Sequence, residues 1–133
     1  MHLVQLDVPT RKKEQFIDIT AQVARLVKET GFKNGFITLF VPHTTAAVTI
    51  NESADPAVVE DIISVLHRLI PQHGEYHHHE GNSAAHIKSS LVGCSQELLL
   101  KDGVLLLGTW QGIFFCEFDG PRTRKLLVGI APC

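Results

Sequence analysis

E-L-L-L-K-D-G-V-L-L-L, from Glu97 to Leu107, is two short apolar runs with Asp102 and Gly103 between them. Asp-Gly is a preferred pair for a two-residue hairpin turn, so one strand is expected over Glu97 to Lys101 and an antiparallel one over Val104 to Leu107. Downstream, Gly108 to Gly112 interrupts the apolar pattern and Ile113 to Phe118 resumes it. Asp119-Gly120-Pro121 then turns the chain, and Lys125 to Ala131 closes it. The last third is therefore expected to be strand and turn throughout.

Working upstream, Asn82 reads as the N-cap of a short helix from Ser83 to about Val92, closed by Gly93. Asp55-Pro56 opens a longer one, a cap residue followed by proline at the first helical position. Val59, Ile62, Ile63, Leu66 and Ile70 form its buried stripe, Glu60, Ser64 and Arg68 its solvent face, and Pro71 ends it. Phe36 to Val41 is apolar on both sides except at Thr38 and reads as a central strand; Ala46 to Ile50 reads as another. The first helix takes Thr20 as N-cap, carries Val23, Leu26 and Val27, and stops at Gly31. Before it lie an alternating strand from His2 to Val8, halted by Pro9, and a short strand from Gln15 to Ile19. The expected class is α+β, a mostly antiparallel sheet or sandwich with two or three helices packed on it.

A length of 133 residues suits a single domain over residues 1–133 with one good core. The net charge of −2 argues against a broad nucleic-acid surface. No apolar run approaches the roughly 20 residues of a membrane span, and the N-terminus lacks the basic start and apolar core of a signal peptide. The expected location is the cytoplasm, with no membrane and no nucleic acid as partner. Cys94, Cys116 and Cys133 are odd in number and far apart, which fits unpaired thiols.

Polar chemistry gathers between Tyr76 and Ser90, Y-H-H-H-E-G-N-S-A-A-H-I-K-S-S. Six of the eight histidines fall between His67 and His86, and His43 ends an apolar strand. His86 is expected in or just beyond the first turn of its helix, where the positive dipole end favours a neutral imidazole. Ser89 and Ser90 lie one turn on. His77, His78 and His79 sit in a loop that can fold back toward His86. No H-E-x-x-H or C-x-x-C spacing is present, so a metal site would have to be assembled from separate segments.

Three polar islands interrupt the apolar pattern, each expensive to bury without partners or a ligand. They are His43-Thr44-Thr45 with Asn51-Glu52, the histidine loop with its helix start, and Gly108 to Gly112 with Glu117, Arg122, Arg124 and Lys125. Arginines 122 and 124 read either as a solvated turn or as a phosphate clamp. Gly-x-Ser-x-Gly and a glycine-rich phosphate loop are both absent, so the inventory suits a metal- or phosphate-handling pocket better than acyl transfer.

H-T-T-A-A-V-T-I-N-E from His43, H-E-G-N-S-A-A-H-I-K-S-S from His79 and L-L-G-T-W-Q-G-I-F-F-C-E-F-D-G-P-R from Leu106 resemble the hallmark blocks of the YjbQ family. Order and separation match as well, and the resemblance spans essentially the whole chain. It implies a compact α+β fold assembling as a homotrimer, with a pocket built around histidines near subunit boundaries. It also implies a secondary thiamine-phosphate synthase activity, joining an aminopyrimidine diphosphate to a thiazole phosphate with loss of pyrophosphate. The family's functional histidines map onto His43, His86 and a loop histidine, for which the spacing from Tyr76 favours His78 over His77 and His79. These three are the expected ligands of a divalent metal, Zn²⁺ suiting imidazole better than Mg²⁺ does. Asn51, Thr109 and Gln111 fall in the same blocks as contacts to a bound small molecule, and Glu52, Lys88 and Glu117 as further active-site candidates.

Under the synthase reading, Lys88 and Arg122 would neutralise the departing pyrophosphate. The alternatives are a metal-dependent hydrolase of a phosphorylated metabolite, with Glu52 or Glu117 as base, and a trimeric metabolite- or metal-binding module without turnover.

Overall fold

The computed structural model describes residues 1–133. The elements run β1 (His2–Pro9), β2 (Gln15–Asp18), α1 (Thr20–Thr30), β3 (Gly35–Phe40), β4 (Ala46–Glu52), α2 (Pro56–Leu69), α3 (Ser83–Val92), β5 (Ser95–Lys101), β6 (Val104–Leu105), β7 (Gln111–Glu117) and β8 (Thr123–Pro132). Asp102 and Gly103 turn the chain between β5 and β6 with φ of 51° and 79°, as the Asp-Gly pair led one to expect. No helix is long and apolar enough to cross a membrane.

The strands form two antiparallel sheets, one ordered β1-β8-β3-β5-β6 and the other β2-β7-β4. Val8, Ile37, Leu39, Leu98, Leu100, Leu126, Val128 and Ile130 of the larger sheet meet Ala46, Val48, Ile113 and Phe115 of the smaller one. Helix α1 lays Val23 and Val27 into the same core. Each such aliphatic side chain stabilises the fold by about 1.5–3 kcal/mol when taken from water. The back of the smaller sheet carries Ala47, Phe114 and Cys116, which pack with Ala85, Val59, Leu66 and Val92 of α2 and α3. Strand β7 is thus buried on both faces. Alanines at 47 and 85 leave room for α3 to lie close against β4.

Helix starts follow the expected chemistry once out of three times. At α2, the Asp55 carboxylate accepts the Ala57 N–H at 2.9 Å and Pro56 occupies the first turn. At α1, Thr20 is the first helical residue and not the cap, because its hydroxyl accepts the Ile113 N–H at 2.8 Å and so ties α1 to β7. Asp18 accepts the Thr20 N–H at 3.0 Å in its place. At α3, Asn82 makes no capping bond; its amide donates to Asp119 Oδ2 at 3.1 Å and its Oδ1 has no partner. Cys94, Cys116 and Cys133 are all free thiols, as expected, and burial pushes the Cys116 thiol well above its ordinary pKa.

The candidate functional site

His43 leaves the end of β3 through Val41 and Pro42 and settles over the start of β8, where its Nε2 accepts the Lys125 N–H at 2.9 Å. An imidazole that accepts through Nε2 while neutral carries its proton on Nδ1. Neutrality is favoured because partial burial, and then the charge of Arg124, lower the His43 pKa from 6.5.

Behind His43 lies a buried ionic network. Arg124 donates from Nε to Glu117 Oε1 at 2.8 Å, from Nη2 to Glu117 Oε2, and from Nη2 to the Thr45 hydroxyl at 2.8 Å. The Thr10 hydroxyl donates to Glu117 Oε1 at 2.8 Å and the Asp119 N–H to Oε2 at 3.0 Å. Burial alone would raise the Glu117 carboxyl, but these donors, Arg124 foremost, hold it below its ordinary 4.5. With both oxygens bonded and no exposure to solvent, Glu117 is a structural anion here, without a free lone pair turned to a cavity. Neither is Arg124 a solvated turn residue, being 3 % exposed. The sequence did carry this signal: Arg124 shares strand parity with Leu126, Val128 and Ile130, and Glu117 with Ile113 and Phe115, so both charges point inward.

Opposite His43 runs α3. Between the two, His43, Thr44, His86, Ser89, Ser90 and Cys94 line a cavity of about 470 Å³. On the other side of His86 a second cavity, about 330 Å³, is lined by Tyr76, His77, His78, Ser83, His86 and Ile87. His86 is the shared wall. The His78 ring meets it edge to face with centroids 5.4 Å apart, while His78 Nε2 lies 3.7 Å from Glu80. His77 lines the second cavity too, whereas His79 lines neither.

Other expected site residues lie apart. The ladder pairs Ala46 with Glu117 at one end of the small sheet and Glu52 with Gln111 at the other. Six residue steps of strand are roughly 20 Å. Asn51, Glu52, Thr109 and Gln111 are therefore at the far end from His43, and Glu52 borders a separate cavity with Asp18, Asp55 and Phe114. Lys88 is 1 % exposed and donates to Glu14 Oε1 at 2.7 Å, turned from both histidine cavities. Arg122 is bound to Asp119 at 3.0 Å, the same carboxylate that Asn82 holds.

No group of three histidine, cysteine, aspartate or glutamate side chains is placed to hold a metal ion. His43, His78 and His86 are brought together in pairs only, and the Nε2 lone pair of His43 is committed to Lys125. As arranged in the chain, they do not fit the three-ligand site expected.

The family model described as UPF0047 protein YjbQ-like matches residues 4–132. The chain belongs to the YjbQ family. A UPF0047 protein of Methanocaldococcus jannaschii is 55% identical over 128 residues, covering 96% of this chain and 93% of its relative. YugU of Bacillus subtilis, also a UPF0047 protein, is 50% identical over 95% of this chain and 96% of its own. Among solved structures, a YjbQ/UPF0047 family protein from Clostridium acetobutylicum superposes with a TM-score of 0.94 at 52% identity, covering 96% of this chain and 99% of that one. A hypothetical protein from Aeropyrum pernix K1 gives a TM-score of 0.95 at 36% identity over the whole of both chains. The α+β fold with curled antiparallel sheets and three helices is thus the YjbQ fold.

Proposed function

We propose that this YjbQ family protein is a transferase of the thiamine-phosphate synthase type, which seats an aminopyrimidine diphosphate and a thiazole phosphate on either side of His86. The observation carrying this reading is that His86 forms the common wall of two cavities, each with a further histidine. The reaction joins the thiazole nitrogen to a CH₂ carbon as pyrophosphate departs, so catalysis consists of alignment and of ring N–H donors to the leaving oxygens. We assign that role to His43 and His86, which line the cavities. Lys88 and Arg122 are not, since each is already paired with a carboxylate.

A hydrolase finds less support, because Glu52 is remote and Glu117 saturated. A divalent metal, in the alternative binding-module reading, would have to use His78 and His86 and draw a further ligand from elsewhere. Incubating both substrates and following pyrophosphate release tests the proposal, with His86→Ala expected to lower the rate at least about 100-fold. Pyrophosphate release from the diphosphate alone would favour the hydrolase, and no release at all a binding module.

The same proposal includes a homotrimer acting on phosphorylated metabolites in the cytoplasm. Leu3, Phe36, Phe40 and Leu99 stand 57, 47, 42 and 50 % exposed on the outer face of the larger sheet, which supports a covered face in the assembly. Light scattering should return three chain masses of 14.7 kDa each, and a single mass at micromolar concentration would rule the trimer out.

A further inference from the structure

Ser89 is 7 % exposed, and its hydroxyl has no hydrogen-bond partner. Its neighbour shows what a helical serine ordinarily does: the Ser90 hydroxyl donates back to the His86 carbonyl at 3.0 Å. Ser89 makes no such bond, and it lines the cavity between α3 and His43. A buried hydroxyl left without a partner destabilises a fold by about 1–3 kcal/mol, so an orphan beside an open cavity is a place where a ligand oxygen would be welcomed. The same cavity is bordered by His43, whose Nε2 is engaged with Lys125 and whose remaining ring N–H is free to donate. No carboxylate lines it. Ring N–H and hydroxyl donors with no competing anion beside them are suited to a phosphoryl group.

We infer that the cavity between β4 and α3 is the phosphoryl subsite of the protein, with the Ser89 hydroxyl and the His43 imidazole as donors to its oxygens. This rests on the reading of His86 as the wall between two binding places, and it assigns the phosphoryl group to one of them. The diphosphate then sits on the His43 side of His86, and the second substrate on the side of Tyr76 and His78. Ser89 is a binding residue in this assignment and takes no proton in the reaction.

Cys94 provides a local reporter. It is an exposed thiol on the rim of this cavity, while Cys133 is an exposed thiol at the C-terminus. The protein is titrated with inorganic phosphate and with pyrophosphate, followed by calorimetry, and alkylation of both thiols by iodoacetamide is timed by mass spectrometry. Saturating pyrophosphate should slow alkylation of Cys94 and leave Cys133 unchanged. Ser89→Ala should weaken pyrophosphate binding about tenfold or more, the worth of one hydrogen bond to a charged group. Its unfolding midpoint should be equal to or above the parent's, because the orphan has been removed. Ser64→Ala, on the exposed face of α2 and away from both cavities, should bind as the parent does.

Pyrophosphate binding that His86→Ala abolishes, with Cys94 unprotected and Ser89→Ala unaffected, would place the phosphoryl group in the other cavity and overturn this assignment while sparing the two-cavity reading. Absence of binding by either anion would overturn both.

Discussion

His43 ties the site to the stability of the molecule. Burial first, and Arg124 second, lower its pKa from 6.5. The unfolded chain therefore takes up a proton near 6.5 while the folded one stays neutral, and the unfolded state binds more protons as the pH falls. This contribution to stability is complete above 6.5 and declines as the solution is acidified below it. Protonation would also put a hydrogen on Nε2, against the Lys125 N–H. The urea midpoint should fall between about pH 7.5 and pH 5.5 more steeply in the parent than in His43→Gln, which keeps an acceptor but does not titrate. Equal slopes would show that His43 is not the titrating group.

Lys88 and Glu14 make an asymmetric pair, 1 % and 17 % exposed at the side chain. Loss of Lys88 lets Glu14 turn to water or toward His67, whose Nδ1 lies 3.6 Å away. Loss of Glu14 leaves a buried ammonium with no acceptor. Chemical denaturation should find Glu14→Ala destabilising by about 3 kcal/mol and Lys88→Met by clearly less. The reverse order would mean that packing of the lysine stem outweighs its charge.

At the level of elements, the helix-start chemistry can be measured directly. Asp55→Ala removes the acceptor for the Ala57 N–H and should destabilise the protein by about 1 kcal/mol. Asn82→Ala removes no cap, and its effect should come instead through Asp119, so the two variants should separate in far-UV helix content on mild heating. Local signals made most elements legible in the sequence: Asp102-Gly103 for the hairpin, Asp55-Pro56 for α2, and Gly31 and Gly93 for the ends of α1 and α3. Boundaries moved by a residue or two. What could not be read locally was which strand joins which sheet. Ile113 to Phe118 is apolar at every turn of the pleat except Glu117, and only the packing shows Phe115 facing the other sheet while Phe114 and Cys116 face helices.

The same limit explains the site. His43, His86 and the loop histidines were legible as a group because their residue types are rare together, and the structure brings them into adjoining cavities. Sequence distance groups Asn51 and Glu52 with His43. A strand is extended, however, so a few residues along β4 carry them to the opposite end of the sheet. Lys88 was grouped with His86 for the same reason, and two positions along a helix turn a side chain to another face.

Considered as a whole, the molecule is two sheets whose strands alternate between them in sequence except at the β5–β6 hairpin, with β7 in the smaller and β8 in the larger. The buried Glu117–Arg124 pair sits where the chain crosses from one to the other, and Thr45 and Thr10 add hydrogen bonds from the loops that precede β4 and follow β1. Glu117→Met or Arg124→Met alone would strand an uncompensated buried charge and should destabilise the fold by roughly 3–5 kcal/mol, whereas the double replacement should regain much of that in the same denaturation experiment. The consequence reaches beyond one protein's stability. A lineage carrying this pair stands on a ridge with a valley on each side: either partner's exchange is deleterious by itself, and only a concerted exchange crosses over. The two positions should therefore be inherited as a unit, and a library randomising one of them should return almost nothing but the original residue until the other is randomised with it.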